Sequence, residues 1–365
     1  MLDQRALNRA LLARQGLLRR WRGGPIEMLE HLVGMQSQAP EPPYFGLWTR
    51  VEGFATDHLS ALIADRLAVR IVLMRGTIHL VSARDCLRLR PVMQSVLART
   101  LQGSYGKRLV GIDAAELAAA GRAIVGERPL TFSEIGARLE ERWPGRDGAA
   151  LGNAVRALVP LVQVPPRGLW GRSGQVRHTS VEAWLGQPLA PEDATDETIV
   201  RYLAAFGPAS VRDVQAWSGL TRLREVMERL RPLLVTFRDA HGVELFDLPD
   251  APRPEGDTAA PPRLLPQFDN VLLSHADRTR IVAHEYRPHV FGSGNGLIPA
   301  TVLVDGFVGG TWMIARTRDR ATLVVETFAP LRKPARSALE EEGARLLAFA
   351  AADAGAHDLR FTTRR

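Results

Sequence analysis

The chain has 365 residues, 45% of them apolar and 24% charged. This is the balance of a folded, soluble protein of two to four modules, and it excludes a disordered or fibrous chain. Basic residues outnumber acidic ones 47 to 40, a net +7. Such a surplus points to an anionic partner, nucleic acid being the commonest large one. An Arg-, Ala-, Gly- and Pro-rich composition in which only Lys107 and Lys333 are lysines also reflects GC-rich coding. Near the N-terminus, Leu7, Leu11, Leu12 and Leu18 carry helical spacing without the continuous apolar run of a signal peptide. A second helix is predicted from Pro25, a favourable first-turn residue, through Met28, Leu29, Leu32, Val33 and Met35. Pro40, Pro42 and Pro43 must end it, so Gln36-Ser37-Gln38 is expected where that helix stops. Helices over residues 44–51 and 57–67 follow, then VRIVLMRGTIHLV, β-branched and hairpin-like around Arg75-Gly76. Helices followed by a small hairpin form the winged-helix pattern.

The pattern recurs. Thr131 and Glu134 form a capping-box signal, a helix carrying Val155, Leu158 and Val159 follows Pro144-Gly145, and residues 162–170 are extended. In a third copy Ser210 and Asp213 cap a helix with an apolar stripe of Val211, Val214 and Trp217. Ser218-Gly219-Leu220 makes its turn, residues 221–230 a second helix, and residues 233–237 and 243–248 the wing strands around His241-Gly242. Residues 251–262 read as a linker or long loop. Beyond it, apolar runs over 297–304, 307–314 and 321–327, the first two joined by Asp305-Gly306, predict a small antiparallel barrel or sheet closed by a helix over 335–351.

Scarce residues exclude chemistry. One cysteine, Cys86, permits no internal disulfide, thiolate zinc site or iron–sulfur cluster, and rules out the zinc deaminases of nucleobases. Two lysines leave little room for Schiff-base chemistry, and neither lies in a Walker motif, because Arg108 and Pro334 follow them. Residues 288–304, the longest uncharged stretch, are too short and too polar to cross a bilayer. There is no G-x-S-x-G, and Gly171-Arg172-Ser173-Gly174 has the wrong spacing. His275 with Asp277, and His284 with Glu285, lack a third ligand at metal spacing. Gly292-Ser293-Gly294-Asn295-Gly296 precedes a strand, whereas a dinucleotide turn opens a helix, so it reads as a hairpin tip. A cytoplasmic protein with no cofactor and no metal is expected.

Two glutamines at i and i+2, freed by the proline run, can face one cavity; they can equally cap and solvate a helix end. The segments MQSQAPEPPYFGLWTR, RGTIHLVSARD, FGPASVRDVQAWSGL, LLPQFDNVLLSHADRTRIV and TVLVDGFVGGTW, spread from about residue 25 to 315, jointly resemble the AlkZ/YcaQ family of winged-helix DNA glycosylases. The resemblance implies a mainly α fold with small β (α+β): three tandem winged-helix units and a C-terminal antiparallel β-barrel around a DNA channel. The expected boundaries are residues 1–108, 109–192 and 193–262 for the three units, and 263–365 for the barrel with its terminal helix. It also implies excision of N-alkylated purines from double-stranded DNA, by a Gln-aliphatic-Gln or Gln-aliphatic-Asp motif. Gln36 and Gln38 match the first form as catalytic residues, and Ser37 departs from it.

The expected enzyme is a monomer hydrolysing the N-glycosidic bond of cationic N-alkylated purines, bulky genotoxin adducts or interstrand crosslinks included. It is monofunctional, since a lyase step needs an amine nucleophile. Arg70, Arg75, His79 and Arg84, in or beside the hairpin, and Arg278 and Arg280 in LSHADRTR are candidates for phosphate contact. Asp277 and its arginines equally suit an internal ion-pair network. Tyr44 and Trp48, at i and i+4, divide between core and lesion pocket; Trp312 is expected in the core. From Arg70 to Arg108 eight basic residues stand against one acid, Asp85, so the surplus reads as a phosphate-contacting face. A tandem winged-helix regulator without chemistry, and a toxin-sequestering resistance protein, are the competing readings.

Overall fold

The computed structural model describes residues 1–365 except 192, 295 and 365. Helix Gln4–Arg14 opens the chain, Asp3 accepting from the Ala6 N–H at its N-cap. Helix Pro25–His31 is shorter than its apolar pattern predicts. Val33 and Gly34 take positive φ (53° and 91°), and a Cβ on Gly34 would lie 2.5 Å from Val81. That tight turn ends the helix, and Met35–Gln36 becomes a strand, β1. The expectation that the Gln-Ser-Gln segment ends a helix is therefore corrected.

Helices Pro42–Arg50 and Thr56–Ala64 lead into β2 (Ala68–Val72) and β3 (Ile78–Ser82), an antiparallel hairpin turning through Met74–Gly76. Strands β4 (Leu161–Gln163) and β5 (His178–Ser180) extend the same sheet, in the order β1-β3-β2-β4-β5. Strands of the first and second sequence repeats thus share one sheet, joined where Arg70 pairs with Gln163. Helices Phe132–Arg142 and Gly148–Leu158 pack beside it, the first opened by the Thr131–Glu134 capping box (Glu134 N to Thr131 Oγ1, 3.2 Å).

Helices Thr195–Phe206, Val211–Ser218 and Leu223–Leu230 precede the hairpin of β6 (Val235–Arg238) and β7 (Glu244–Asp247). Gly219, at φ +79°, ends the middle helix in the left-handed conformation. The last sheet joins β8 (Arg263–Leu265), β9 (Thr301–Val304), β10 (Phe307–Arg316), β11 (Arg320–Thr327) and β12 (Ala356–Thr363) in that order. Helix Lys333–Ala350 carries the chain from β11 to β12, which pair parallel. The expected antiparallel barrel is instead an open mixed sheet: β8 and β12 are its edges, unpaired with each other among the described residues. The hairpin tip expected at residues 292–296 includes Asn295, which lies outside the described residues; Gly292 caps the C-terminus of a helix, Arg287–Phe291, rather than ending a strand.

The apolar core does not follow chain order. Its largest cluster joins Leu11 and Leu12 of the first helix to Ile71, to Tyr202, Phe206 and Trp217, and to Leu303 of the last sheet. A second packs Leu47 and Trp48 against Leu323 and Leu346, while Leu117, Ile135, Leu151 and Val155 form a third within one stretch of chain. Two fully buried ion pairs cross these seams: Arg14 with Asp247, and Arg50 with Asp269, each closing at 2.7 Å.

Candidate active site

Gln36 sits on β1, paired with His79 of β3, and is 7% exposed. Its Oε1 accepts from Arg75 Nη2 at 2.8 Å. Arg75 occupies the turn between β2 and β3 at φ 56°, and its Nη1 donates to the Trp217 carbonyl. That carbonyl lies in the last turn of helix Val211–Ser218, the partially negative end of the helix. Gly219 makes the approach feasible, since a Cβ there would fall 3.2 Å from the Arg75 Cα. Gln38 is exposed, and its Oε1 accepts from the Ile78 N–H at 3.0 Å. Arginine and a backbone N–H only donate, so both amides are fixed with oxygen toward the protein and NH2 as the remaining polar end. Neither NH2 has a hydrogen-bond partner among the described residues.

Ser37, fully buried, donates its N–H to the Ile78 carbonyl at 2.7 Å, prolonging the β1–β3 pairing. Its Oγ accepts from Arg70 Nε at 3.0 Å and its carbonyl accepts from Arg70 Nη2 at 2.8 Å. The position that is aliphatic in the Gln-aliphatic-Gln motif is here a polar anchor. Beyond the motif a cleft of about 260 Å³ opens, lined by Ala39, Glu41, Phe45, Pro266, Gln267 and Trp312 among others.

The electrostatic setting is basic. Burial, and then Arg278, lower the Arg75 pKa to about 10. Burial, and then Arg75, push His79 down to about 3, so its imidazole is neutral at physiological pH. Arg278 is half-buried, its guanidinium 4.2 Å from the Phe291 ring centroid.

Several expected contacts fall elsewhere. Arg70, His79 and Arg280 are buried (3%, 2% and 6% exposed), too deep to reach a phosphate. Arg70 is spent on Ser37, the His79 Nδ1 is bonded to the Thr77 carbonyl, and Arg280 donates to the Pro208 carbonyl. Arg84 is exposed but paired with Glu30 at 2.7 Å. Tyr44 and Trp48 are core residues rather than a lesion pocket: the Tyr44 hydroxyl donates to the Gly168 carbonyl at 2.8 Å, and Trp48 stacks on Phe349. Trp312 is buried as expected, its indole donating to the Leu265 carbonyl. Asp277 accepts from the N–H and hydroxyl of Thr279, and no arginine pairs with it among the described residues.

The basic surplus between residues 70 and 108 is local in sequence but not in space. Arg84, Arg88 and Arg108 pair with Glu30, Glu197 and Asp147, all from outside the window. Arg70 and Arg90 are buried, so one continuous phosphate-contacting face does not form there. Sequence reasoning also missed the struts behind the motif. Asn270 Nδ2 donates to the Gly34 carbonyl at 2.8 Å, tying the LLPQFDN segment to the turn before Gln36, while neighbouring Asp269 holds Arg50. The signal was present: Asp and Asn inside an apolar run demand buried partners.

The AlkZ-like DNA glycosylase family profile matches residues 29–349 of this chain. An interstrand DNA cross-link repair glycosylase of Streptomyces sahachiroi is 26% identical over 358 residues, covering 91% of this chain and 92% of that protein. The solved structure of the Streptomyces sahachiroi DNA glycosylase AlkZ superposes with a TM-score of 0.79 at 22% identity, over 99% of this chain and 100% of that one. At that identity the likeness is one of fold.

Proposed function

The chain belongs to the AlkZ-like DNA glycosylase family, and from that premise we propose that it hydrolyses the N-glycosidic bond of cationic N-alkylated purines in double-stranded DNA, with Gln36 and Gln38 as its catalytic residues. The observation that carries the reading is the amide pair. Two carboxamides lie two residues apart beside one strand, each oriented by a donor that leaves one oxygen lone pair and the whole NH2 for ligand. A carboxamide is too weak a base to deprotonate water. It holds a water in line with the anomeric carbon and sets its dipole against an oxocarbenium-like sugar. Such assistance suffices where the base leaves readily. An N7- or N3-alkylated purine departs neutral, so no general acid is required, in keeping with a His79 that is unprotonated at neutral pH.

The enzyme is monofunctional in this reading: hydrolysis, with no amine attack on the sugar, leaves an intact abasic site. Arg278 and the outer face of Arg75 meet the phosphates beside the lesion, and Arg84 joins them by exchanging Glu30 for a phosphate. The helix–turn–helix and hairpin over residues 193–262 are a winged-helix unit, following two others over 1–108 and 109–192. The protein works as a cytoplasmic monomer, on methyl adducts and on bulky or crosslinked ones, in repair or in self-resistance. No helix among the described residues is long and apolar enough to cross a membrane.

Gln36→Ala and Gln38→Ala should each abolish release of N7-methylguanine from a duplex while DNA affinity persists. Wild-type release by both variants would return the pair to a structural role. A product strand cut without added base or heat would refute the monofunctional step.

A further inference from the structure

Arg70 is 3% exposed, and no carboxylate lies within ion-pair distance of it among the described residues. Its Nη1 is buried with no partner, and its strand neighbour Gln163 makes no bond to it. Burial and the nearby Arg167 both oppose its charge. Keeping an uncompensated guanidinium in a core is costly, and such groups persist where they hold something in place. The remaining guanidinium donors both end on Ser37, one on the hydroxyl at 3.0 Å and one on the carbonyl at 2.8 Å. The Ser37 hydroxyl in turn donates to the Ala39 carbonyl at 3.2 Å. Arg70 therefore grips Ser37 directly, and through the Ser37 hydroxyl it is linked to the Ala39 carbonyl beyond Gln38, while β3 holds Ser37 and Gln38 through Ile78. Gly168 leaves room for the arginine stem: a Cβ there would stand 3.3 Å from Arg70 Cδ.

We propose that Arg70 is a positioning residue for the glycosylase reaction, reading Ser37 as its anchor and so fixing the two amides. Ser37 is then no weakening of the motif; its hydroxyl does by hydrogen bonding what an aliphatic side chain does by packing. The inference rests on the catalytic assignment of Gln36 and Gln38.

The test uses the full chain with Arg70→Met, Ser37→Ala and the double variant, alongside Gln36→Ala and Gln38→Ala. Three quantities are read: the single-turnover rate of N7-methylguanine release, the Kd for the same duplex, and the melting temperature. Arg70→Met should lower the rate on the order of 100-fold, the scale of a misplaced reacting group. Its Kd should stay within about 2-fold, and its melting temperature should hold or rise, because a buried unpaired charge has gone. Ser37→Ala should lose roughly 10-fold, and the double variant should be no slower than Arg70→Met, since both act through one contact. A merely structural arginine gives the opposite pattern, a lower melting temperature with an intact rate in the folded fraction, and that result overturns the proposal. Should Arg70→Met not fold, Ser37→Ala decides: a wild-type rate there overturns it equally. Undiminished release by both glutamine variants sinks the catalytic assignment itself, whereas loss in those with a wild-type Arg70→Met rate removes only the clamp.

Discussion

Gly219→Ala is the substitution that most directly probes how a remote turn supports Gln36. Gly219 has φ +79°, and a Cβ there would meet Val96 Cγ1 at 3.1 Å, Arg75 Cα at 3.2 Å and Arg75 N at 3.3 Å. Left-handed backbone costs an L-residue about 1–2 kcal/mol. The crowding adds about 1–3 kcal/mol, since two of the three neighbours are backbone atoms that cannot rotate away. A loss of about 3 kcal/mol in unfolding free energy is expected, measured by urea titration. The Arg75 backbone yields by a few tenths of an ångström, displacing the guanidinium that holds Gln36 Oε1 at 2.8 Å. Scaled from the ~100-fold cost of a 1 Å misplacement, the single-turnover rate should fall roughly 3- to 10-fold. Gly53→Ala is the control: φ is +67°, but no atom lies within 4 Å of the new Cβ. It carries the conformational cost alone, about 1–2 kcal/mol, with an unchanged rate. Equal destabilisation and equal rates for the two variants would refute the coupling through Arg75.

Two further outcomes follow from buried charge. Arg50 Nη1 and Nη2 meet the Asp269 oxygens at 2.8 and 2.7 Å with both side chains inaccessible, so Arg50→Ala strands a carboxylate in the core. It should cost about 3–5 kcal/mol in urea unfolding, and Arg50→Met with Asp269→Leu much less; a loss below about 1 kcal/mol for Arg50→Ala would contradict this. His79 and His178 have pKa values lowered by burial to about 3 and about 4, from an ordinary 6.5. The unfolded chain binds their protons first, so their stabilisation is complete above pH 6.5 and is lost as pH falls toward the folded values. At pH 5 each should cost about 2 kcal/mol, visible as a lower urea midpoint than at pH 7.5. His178→Gln should narrow that gap by its share, and a midpoint independent of pH would contradict the burial argument.

What the sequence determined is what lies within a few residues of itself. The capping boxes at Thr131–Glu134 and Ser210–Asp213, the turn at Arg75-Gly76 and the Asp305-Gly306 hairpin appear where their residues require them. Each is a contact over three or four positions, with no loop to close. The Gln-Ser-Gln segment was legible as the candidate site, but not its conformation: two residues of strand exist only because β3 lies alongside. The same limit hid the parallel edge strand β12, which needs a helical crossover before it meets β11. It also misplaced the charge. An arginine's sequence neighbours say nothing of Glu197 or Asp147 arriving from distant helices, so a basic window became a set of ion pairs. Above all, tertiary structure decided what Ser37 is. Its meaning depends on a guanidinium 33 residues away that carries no mark in the motif, and that only the pairing of β1, β3 and β2 brings within hydrogen-bonding distance.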